Sequence, residues 1–234
     1  MEQGDGSSVI GGFGMFPKIN GSIESWDMIV MGHLRVNTYF GESYDNPPRG
    51  QPSTCTSVMV RGKGIDGKPY VLIIDPTLRL SAKDYDFDIN RRTGLRLEDV
   101  THCFITHHHL DHFEALPYFP EAVWMAVPEV ADIIRKNEDV DVSAIIGVEG
   151  EFLPGVAAVH LPGHTDTIHG AAFTGGGKKV LVAGDAVMSR HHFEHETTDF
   201  QPDPEMQKVA AKTIQAMKAN FDIVIPGHDN MIVK

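Results

Sequence analysis

The chain has 234 residues, 41% of them hydrophobic and 22% charged, which is typical of a folded domain and excludes a disordered or fibrous chain. Lys and Arg number 20 against 32 Asp and Glu, and the net charge of −12 argues against a broad nucleic-acid-binding surface. Two cysteines exclude a disulfide scaffold and a multi-cysteine zinc site. Neither a membrane span nor a signal peptide is recognisable, so we expect a cytoplasmic protein without membrane or nucleic-acid partners.

The first 53 residues are rich in glycine and proline and differ from the rest of the chain. They contain two strand-like runs, at 28–31 and 36–40, the second with Tyr39 and Phe40 as expected core residues. Phe13 and Phe16 lie among glycines, which favours a mobile flap.

From residue 54 onward the pattern becomes regular. Two apolar runs around a turn-like segment at 62–67 predict a β-hairpin, and four further short runs predict strands. The hairpin runs are 57–60 and 70–74, the other strands are 100–106, 156–161, 180–183 and 221–225, and helices are predicted at 128–136 and 203–219. Strands interleaved with helices predict a layered α/β domain.

Four histidines and one aspartate follow the apolar run that ends at Ile105. These residues are His107, His108, His109, Asp111 and His112. Imidazole nitrogen and carboxylate oxygen are common ligands of zinc and similar divalent ions. Side chains alternate along a strand, so His107 and His109 share one side and His108 turns away. Asp111 and His112 lie beyond the turn and can face a second point nearby.

Each later strand-like run also ends in a residue that can bind metal. His164 follows the run at 156–161, Asp185 follows 180–183, and His228 follows 221–225. A glycine stands directly before each of the three, where a tight turn would need one. Because ligands of α/β sheets usually bind where strands end, we expect these residues to meet the histidine cluster at one edge.

These motifs together resemble the metallo-β-lactamase superfamily of metallohydrolases. The matching elements are His107-x-His109-x-Asp111-His112, Pro-Gly-His-Thr at 162–165, Gly-Asp-Ala at 184–186 and Pro-Gly-His at 226–228. The strand at 71–74 followed by Asp75 is similar to an early strand of that family. The resemblance implies an αββα sandwich, with two mixed β-sheets flanked by helices. We expect one such domain over 1–234, in which strands and loops of 1–53 flank the site.

The resemblance also implies a ligand set for two metal ions. His107, His109 and His164 would hold the first ion, and Asp111, His112 and His228 the second, with Asp185 bridging them. Zinc is the expected metal, with iron or manganese as alternatives. Asp75 is expected to orient a ligand histidine rather than to bind metal.

Two ions about 3.5–4 Å apart can share a water whose pKa falls toward 7. The expected reaction is therefore hydrolysis of an ester, lactone, thioester or phosphodiester bond in a small molecule, with Asp111 as the catalytic residue that orients the nucleophile or carries its proton. No Gly-x-Ser-x-Gly sequence indicates a serine nucleophile. A homodimer is left open.

The segment after Asp185 leaves two questions open. His191, His192 and His195 are candidates for substrate binding at the mouth of the site, against a solvated loop as the alternative. Gly-Asp-Ala, Arg190 and residues 198–201 are also similar to the persulfide dioxygenases of the superfamily, which use one iron. No tyrosine follows Asp185 where acyl-homoserine lactonases place one. The number and identity of the metal ions separate a hydrolase from a dioxygenase.

Overall fold

The computed structural model describes residues 16–35, 53–198 and 203–234. Within these ranges the strands are β1 (Ile23–Val30), β2 (Ser57–Lys63), β3 (Pro69–Ile74), β4 (His102–Ile105), β5 (Val123–Ala126), β6 (Ile146–Gly147), β7 (Glu151–Leu153), β8 (Val156–His160), β9 (His169–Gly175), β10 (Lys178–Gly184), β11 (Ile223–Pro226) and β12 (Ile232–Val233). The α-helices are α1 (Ala82–Thr93), α2 (Pro128–Ile134), α3 (Arg190–His195) and α4 (Pro204–Asn220). None of them is long and apolar enough to cross a membrane.

The strands form two six-stranded sheets. Sheet one has the order β1-β2-β3-β4-β5-β6 and sheet two the order β12-β11-β10-β9-β8-β7. Both sheets are mixed, since β3 to β6 are parallel neighbours in sheet one and β10 pairs in parallel with β11 in sheet two. The predicted hairpin is confirmed, with β2 and β3 paired in antiparallel register from Val58–Ile74 to Lys63–Pro69.

Alternation along the strands gives each sheet two buried faces. Val58 and Leu72 pack in a cluster between the two sheets, together with Phe173 of β9. Their neighbours Met59 and Ile73 point the other way and belong to the cluster that α1 and α2 cover. The burial of both faces of sheet one explains why its strands are near-continuous apolar runs.

Sheet two is covered in the same manner on its outer side. Leu181 and Val224 pack with Ile214 and Met217 of α4. This helix begins as predicted, with the Asp203 side chain accepting a hydrogen bond from the backbone N–H of Glu205. The layers therefore run helix, sheet, sheet, helix, which confirms the αββα sandwich.

Several elements differ from the sequence-based prediction. α1 was not predicted because its sequence is mostly polar, although Ser81 caps its start and Gly94 ends it with a φ of 74°. The segment after Asp185 is not a solvated loop, since 190–195 form α3. Phe16 packs against Phe221 with ring centroids 5.7 Å apart, at the end of β11 remote from His228, so the flap prediction is wrong for Phe16.

Other predictions in the N-terminal part are not described by the structure. The strand at 36–40, including Tyr39 and Phe40, and the flap residue Phe13 lie outside the described residues. So do residues 199–201 of the dioxygenase-like segment. The strand predicted at 28–31 belongs to the longer β1, which begins at Ile23.

Candidate metal centre

The seven predicted ligands lie together where four strands end. His107, His109, Asp111 and His112 follow β4, the strand of sheet one that ends at Ile105. The other three follow strands of sheet two: His164 comes after β8, Asp185 directly after β10, and His228 after β11. The ligands therefore come from both sheets and converge on one edge of the sandwich.

The donor atoms form two groups, each with its ligand atoms within 4.8 Å of one another. The first donor group is His107, His109, His164 and Asp185, and the second donor group is Asp111, His112 and His228. In the first group, Nε2 of His164 lies 2.9 Å from Nδ1 of His109 and 3.5 Å from Oδ2 of Asp185. In the second group, Nε2 of His228 lies 3.6 Å from Oδ2 of Asp111.

Asp185 lies between the two groups, and its carboxylate contacts both. Its Oδ2 is 3.8 Å from Nε2 of His107, in the first donor group, and 3.3 Å from Nε2 of His228, in the second. Its Oδ1 is 3.3 Å from Nε2 of His112 and 3.2 Å from Nε2 of His228, in the second. A carboxylate with this orientation can contact an ion in each group.

The spacing of the donors agrees with a metal site. With Zn–N distances of about 2.0–2.1 Å, neighbouring ligand atoms around a tetrahedral zinc are roughly 3.3–3.4 Å apart. Nε2 of His107, Nε2 of His112 and Oδ1 of Asp185 are buried and make no hydrogen bond within the described part of the chain. Buried polar atoms without such partners are costly, and a bound cation would satisfy all three.

In the second donor group, hydrogen bonds determine which ring nitrogen of each histidine can bind a metal ion. Nδ1 of His112 donates to Oδ2 of Asp75 over 2.9 Å, and Nδ1 of His228 donates to the carbonyl oxygen of Thr54 over 3.0 Å. Both bonds leave Nε2 without a proton in the neutral imidazole, and this atom faces the other donors. A histidine held this way by its outer nitrogen is the usual arrangement around a protein-bound metal.

Asp75 orients ligands of both donor groups, directly through His112 and indirectly through Thr106. Its carboxylate accepts hydrogen bonds from the backbone N–H and the hydroxyl of Thr106, both over 2.8 Å, in addition to the bond from His112. Because the Thr106 hydroxyl donates to Asp75, its oxygen can accept from Nδ1 of His107, 3.1 Å away. The geometry thus places Asp75 behind the ligands rather than among them, in line with the orienting role expected for it.

Burial and charge act differently on the two donor groups. Before a metal ion binds, burial lowers the pKa of His107 well below its ordinary value and that of His164 to about 4. Burial also acts to lower the pKa of His112 and His228, but the charge of nearby acidic groups, Asp185 included, raises both. The first group therefore offers neutral imidazoles at pH 7, the form that binds metal.

The glycines before the ligands are needed for more than one reason. Gly184 has a φ of 53°, and a Cβ atom there would lie 2.5 Å from the hydroxyl oxygen of Thr106. Gly227 has no positive φ, but a Cβ atom at this position would lie 1.9 Å from Oδ1 of Asp185. Gly227 is thus required by the space that the bridging carboxylate occupies.

The remaining histidines of the sequence-based prediction lie outside both donor groups. His108 is partly buried and its side chain belongs to neither group, as alternation predicts. His192 is buried and its Nδ1 lies 2.7 Å from the Ser189 hydroxyl oxygen, while Nδ1 of His195 bonds to the carbonyl of His191 within α3. A substrate-binding role for His191, His192 and His195 stays a prediction.

Sequence reasoning missed the segment at 54–56, which ties the N-terminal part to the ligand loops. The carbonyl of Thr54 accepts the bond from Nδ1 of His228, and the backbone N–H of Thr56 donates to the carbonyl of Gly227 over 2.5 Å. The hydroxyl of Thr56 donates to the carbonyl of Asp229, 3.1 Å away. These contacts use mostly backbone atoms, which leave no signal in the sequence.

Comparison with known proteins agrees with the fold and the site. The family model of the metallo-β-lactamase superfamily matches residues 50–228, which include all seven donor residues. A comparison with curated proteins finds no significant match.

Solved structures with the same fold are similar over most of their length. A metallo-β-lactamase-type protein of Thermotoga maritima is 20% identical, with a TM-score of 0.64 over 90% of this chain and 99% of that one. An N-acyl homoserine lactone hydrolase with N-hexanoyl-L-homoserine at its catalytic metal centre is 17% identical, with a TM-score of 0.63 over 89% and 94%. A B. thuringiensis AiiA variant with N-decanoyl-L-homoserine at its active site is 18% identical, with a TM-score of 0.60 over 92% and 94%.

At these identities the structural likeness establishes the fold, and the family-model match establishes the family. Together with the histidine and aspartate donors, they support divalent-metal binding and a hydrolase in general terms. The chain belongs to the metallo-β-lactamase superfamily.

Proposed function

We propose that the protein is a hydrolase of a small molecule that works with two divalent ions, preferably zinc, one in each donor group. The observation that carries this proposal is the position of Asp185, whose carboxylate lies 3.2–3.8 Å from histidine nitrogens of both donor groups. One carboxylate shared in this way is the arrangement that two neighbouring ions need. The single iron of a persulfide dioxygenase would leave one of the two groups without an ion.

A pair of bound ions would supply a water of lowered pKa and would polarise the bond to be cleaved. Asp111 is suited to hold the proton of that water, because its side chain is 26% exposed whereas that of Asp185 is 6% exposed. Asp111 therefore reaches both the second donor group and solvent. In this scheme it orients the nucleophile and takes up its proton, while Asp185 stays fully engaged between the groups.

The two cysteines are not suited to act as the nucleophile. Cys55 and Cys103 are both fully buried, and burial raises the pKa of the Cys55 thiol to about 12 and also raises that of Cys103. A thiol that is neutral at pH 7 and closed to solvent is a poor nucleophile. Attack by an activated water is thus the reaction that these residues favour.

The bond cleaved is an ester, lactone, thioester or phosphodiester. The lactone hydrolases among the structural neighbours bring lactones into consideration. Against a homoserine lactone stands the absence of a tyrosine from the sequence between Asp185 and residue 200. We therefore place open-chain esters and phosphodiesters first in a substrate panel.

Elemental analysis of protein purified without chelator, followed by assays on the four substrate types, tests the proposal. We expect about two divalent ions per chain and turnover of at least one type, with Asp111→Asn lowering kcat by roughly 10²–10⁴-fold as expected for a lost proton carrier. Asp132→Asn on the exposed side of α2 is the matched control and should leave kcat unchanged. One tightly bound iron per chain, with no second ion and oxygen-dependent turnover of a persulfide, would contradict the proposal.

A further inference from the structure

A cavity of about 560 Å³ lies beside the metal centre, where the start of α2 faces β8 and the start of β9. It is not lined by any of the seven donor residues. The loop between β8 and β9 nevertheless links the two sites, because it carries the ligand His164 and also the lining residues Asp166 and Thr167. The backbone N–H of His169 donates to the carbonyl of Thr106 over 3.0 Å, one residue before the ligand His107.

Two histidines in this cavity each donate a hydrogen bond to a backbone carbonyl through one ring nitrogen. Nε2 of His160 lies 2.7 Å from the carbonyl oxygen of Asp166, and Nδ1 of His169 lies 2.9 Å from that of Thr167. Since a carbonyl oxygen only accepts, these two nitrogens carry protons, and in a neutral ring the other nitrogen, Nδ1 of His160 or Nε2 of His169, is an acceptor. Burial lowers the pKa of His169, which keeps its ring neutral at pH 7. The two rings are 4.8 Å apart.

Apart from these histidines, the ionisable residues of the lining are all acidic. The carboxylates are those of Glu129, Glu149 and Asp166, and none of the described lining residues is a lysine or an arginine. Glu129 and Glu149 lie close enough to His169 for their charges to oppose the effect of burial on its pKa. The three acidic residues are exposed to solvent, and their carboxylates together with two acceptor nitrogens favour a ligand that donates hydrogen bonds and carries positive charge.

A bare metal ion does not match the spacing of these groups. Among the described residues, sets of three or more ligand atoms within 4.8 Å occur only in the two donor groups of the metal centre. The acceptors of the cavity are therefore too widely spaced to close on one ion. They can surround a larger cation that carries several N–H bonds, with Val127 and Ala158 contacting its carbon chain.

We propose that this cavity binds the ammonium or guanidinium group of the substrate, so that the enzyme cleaves small molecules that carry an organic cation. This inference rests on the proposed hydrolase function, since it assigns the cavity to the substrate of the neighbouring centre. Glu129 and Glu149 would be specificity-determining residues that provide the charge, and His160 and His169 would accept N–H bonds.

Binding can be measured without any turnover. The probe is n-butylammonium, with 1-butanol as its uncharged counterpart, titrated into ¹⁵N-labelled, zinc-loaded protein while the backbone signals of 149–150 and 166–169 are followed. We expect saturable shifts with n-butylammonium only. The double variant Glu129→Gln/Glu149→Gln should bind it at least fivefold more weakly, from on the order of threefold per carboxylate for partly exposed ion pairs. The exposed double variant Glu138→Gln/Asp139→Asn makes the same change of net charge and should bind as the unmodified protein does.

Three results would overturn the proposal. The first is equal binding of 1-butanol, and the second is n-butylammonium binding that the double variant leaves unchanged. The third is a shift of the side-chain signals of His160 and His169 when zinc is added beyond the amount that fills the donor groups. Such a shift would assign the cavity to a metal ion.

A pair of esters connects the cavity to catalysis. The two esters are 4-nitrophenyl 6-aminohexanoate and 4-nitrophenyl heptanoate. They differ only at the end of the acyl chain, where the first has an ammonium group and the second a methyl group. We expect the ratio of their kcat/KM values to favour the ammonium ester and to fall at least fivefold in the double variant. An unchanged ratio would overturn the cavity proposal while leaving the hydrolase intact. If neither ester nor any other panel substrate is cleaved but n-butylammonium binds as expected, the proposed function fails and the cation site remains.

Discussion

The first donor group, with His164, and the second donor group, with His228, share Asp185 but are supported by different kinds of neighbours. Burial among other imidazoles dominates in the first group and lowers the pKa of His164 to about 4. In the second group, the carboxylate of Asp75 and the carbonyl of Thr54 accept the outer protons of the histidines, and nearby negative charge raises their pKa values. The first group is thus ready for metal over a wider pH range, whereas an ion in the second group has to compete with protons.

The strongest test of this comparison removes the residue that the two groups share. Asp185→Asn keeps the size of the side chain but takes its negative charge from both groups, so we expect metal content well below one ion per chain and a loss of turnover of roughly a thousandfold or more. Metal content and activity should be measured on the same samples. His108→Ala is the control from the same site, and it should keep most of both. If His108→Ala lost as much metal as Asp185→Asn, the division into two donor groups would be wrong.

Removal of the metal should reveal how much the two groups destabilise the fold when they face each other without ions. An ion that binds only the folded state stabilises it by RT ln(1 + [L]/Kd), about 4 kcal/mol at a thousandfold excess over Kd. We expect a lower Tm after chelation and recovery on addition of zinc or manganese. Calorimetry of fully demetallated protein checks this, and an unchanged melting curve would count against the assignment of the seven donors.

Asp75→Asn should separate the two groups. Asparagine tolerates the φ of 51° at this position, but its amide can no longer serve as the charged acceptor for His112. Loss of such a supporting carboxylate costs about 10–100-fold in metal affinity. We expect this loss mainly for the second ion, as measured by competition with a chromophoric chelator. An equal loss of affinity for both ions would show that Asp75 acts on the first group through Thr106 as strongly as on the second.

Acidification should release the ions in a defined order, and this is the smallest of the expected effects. The pKa of His112 and that of His228 are raised, so these rings take up protons at a higher pH and the second ion has to displace them. Burial lowers the pKa values of the histidines in the first group, that of His164 to about 4, so the first ion meets that competition only at lower pH. Metal content after dialysis between pH 7 and 4 should fall first to one ion and then to none. Simultaneous loss of both ions would remove the distinction between the groups.

The part of the site that lies at strand ends could be predicted from the sequence. His164, Asp185 and His228 each follow a short apolar run and a glycine, and such runs identify strands without knowledge of their order in the sheet. Asp75 also follows an apolar run, but its place in the site was implied by the family resemblance. What the sequence could not reveal is support by backbone atoms, such as the carbonyl of Thr54 on His228.

Elements with weak apolar periodicity were also missed. Helix α1 buries only Tyr85, Asp88 and Ile89, so its 12 residues read as polar even though its two ends carry clear cap residues. The cavity could not be predicted because Glu129 of α2 and Glu149, between β6 and β7, come close to His169 only when sheet one packs on sheet two. The one signal of the cavity in the sequence was the pair His160 and His169, which lie on either side of the Pro-Gly-His-Thr motif at 162–165.

Gly227 has a consequence for how the protein can change under selection. Gly176 and Gly177 have φ values of 58° and 74° with open space around them, so residues that accept a positive φ, such as asparagine, can replace them at moderate cost. Gly227 has no positive φ, but any larger residue would displace the carboxylate of Asp185. In a library that randomises single positions, a substitution score based on backbone angles would rank Gly227 as the most permissive of the three. Survival under selection for metal-dependent activity would rank Gly227 as the least permissive of the three.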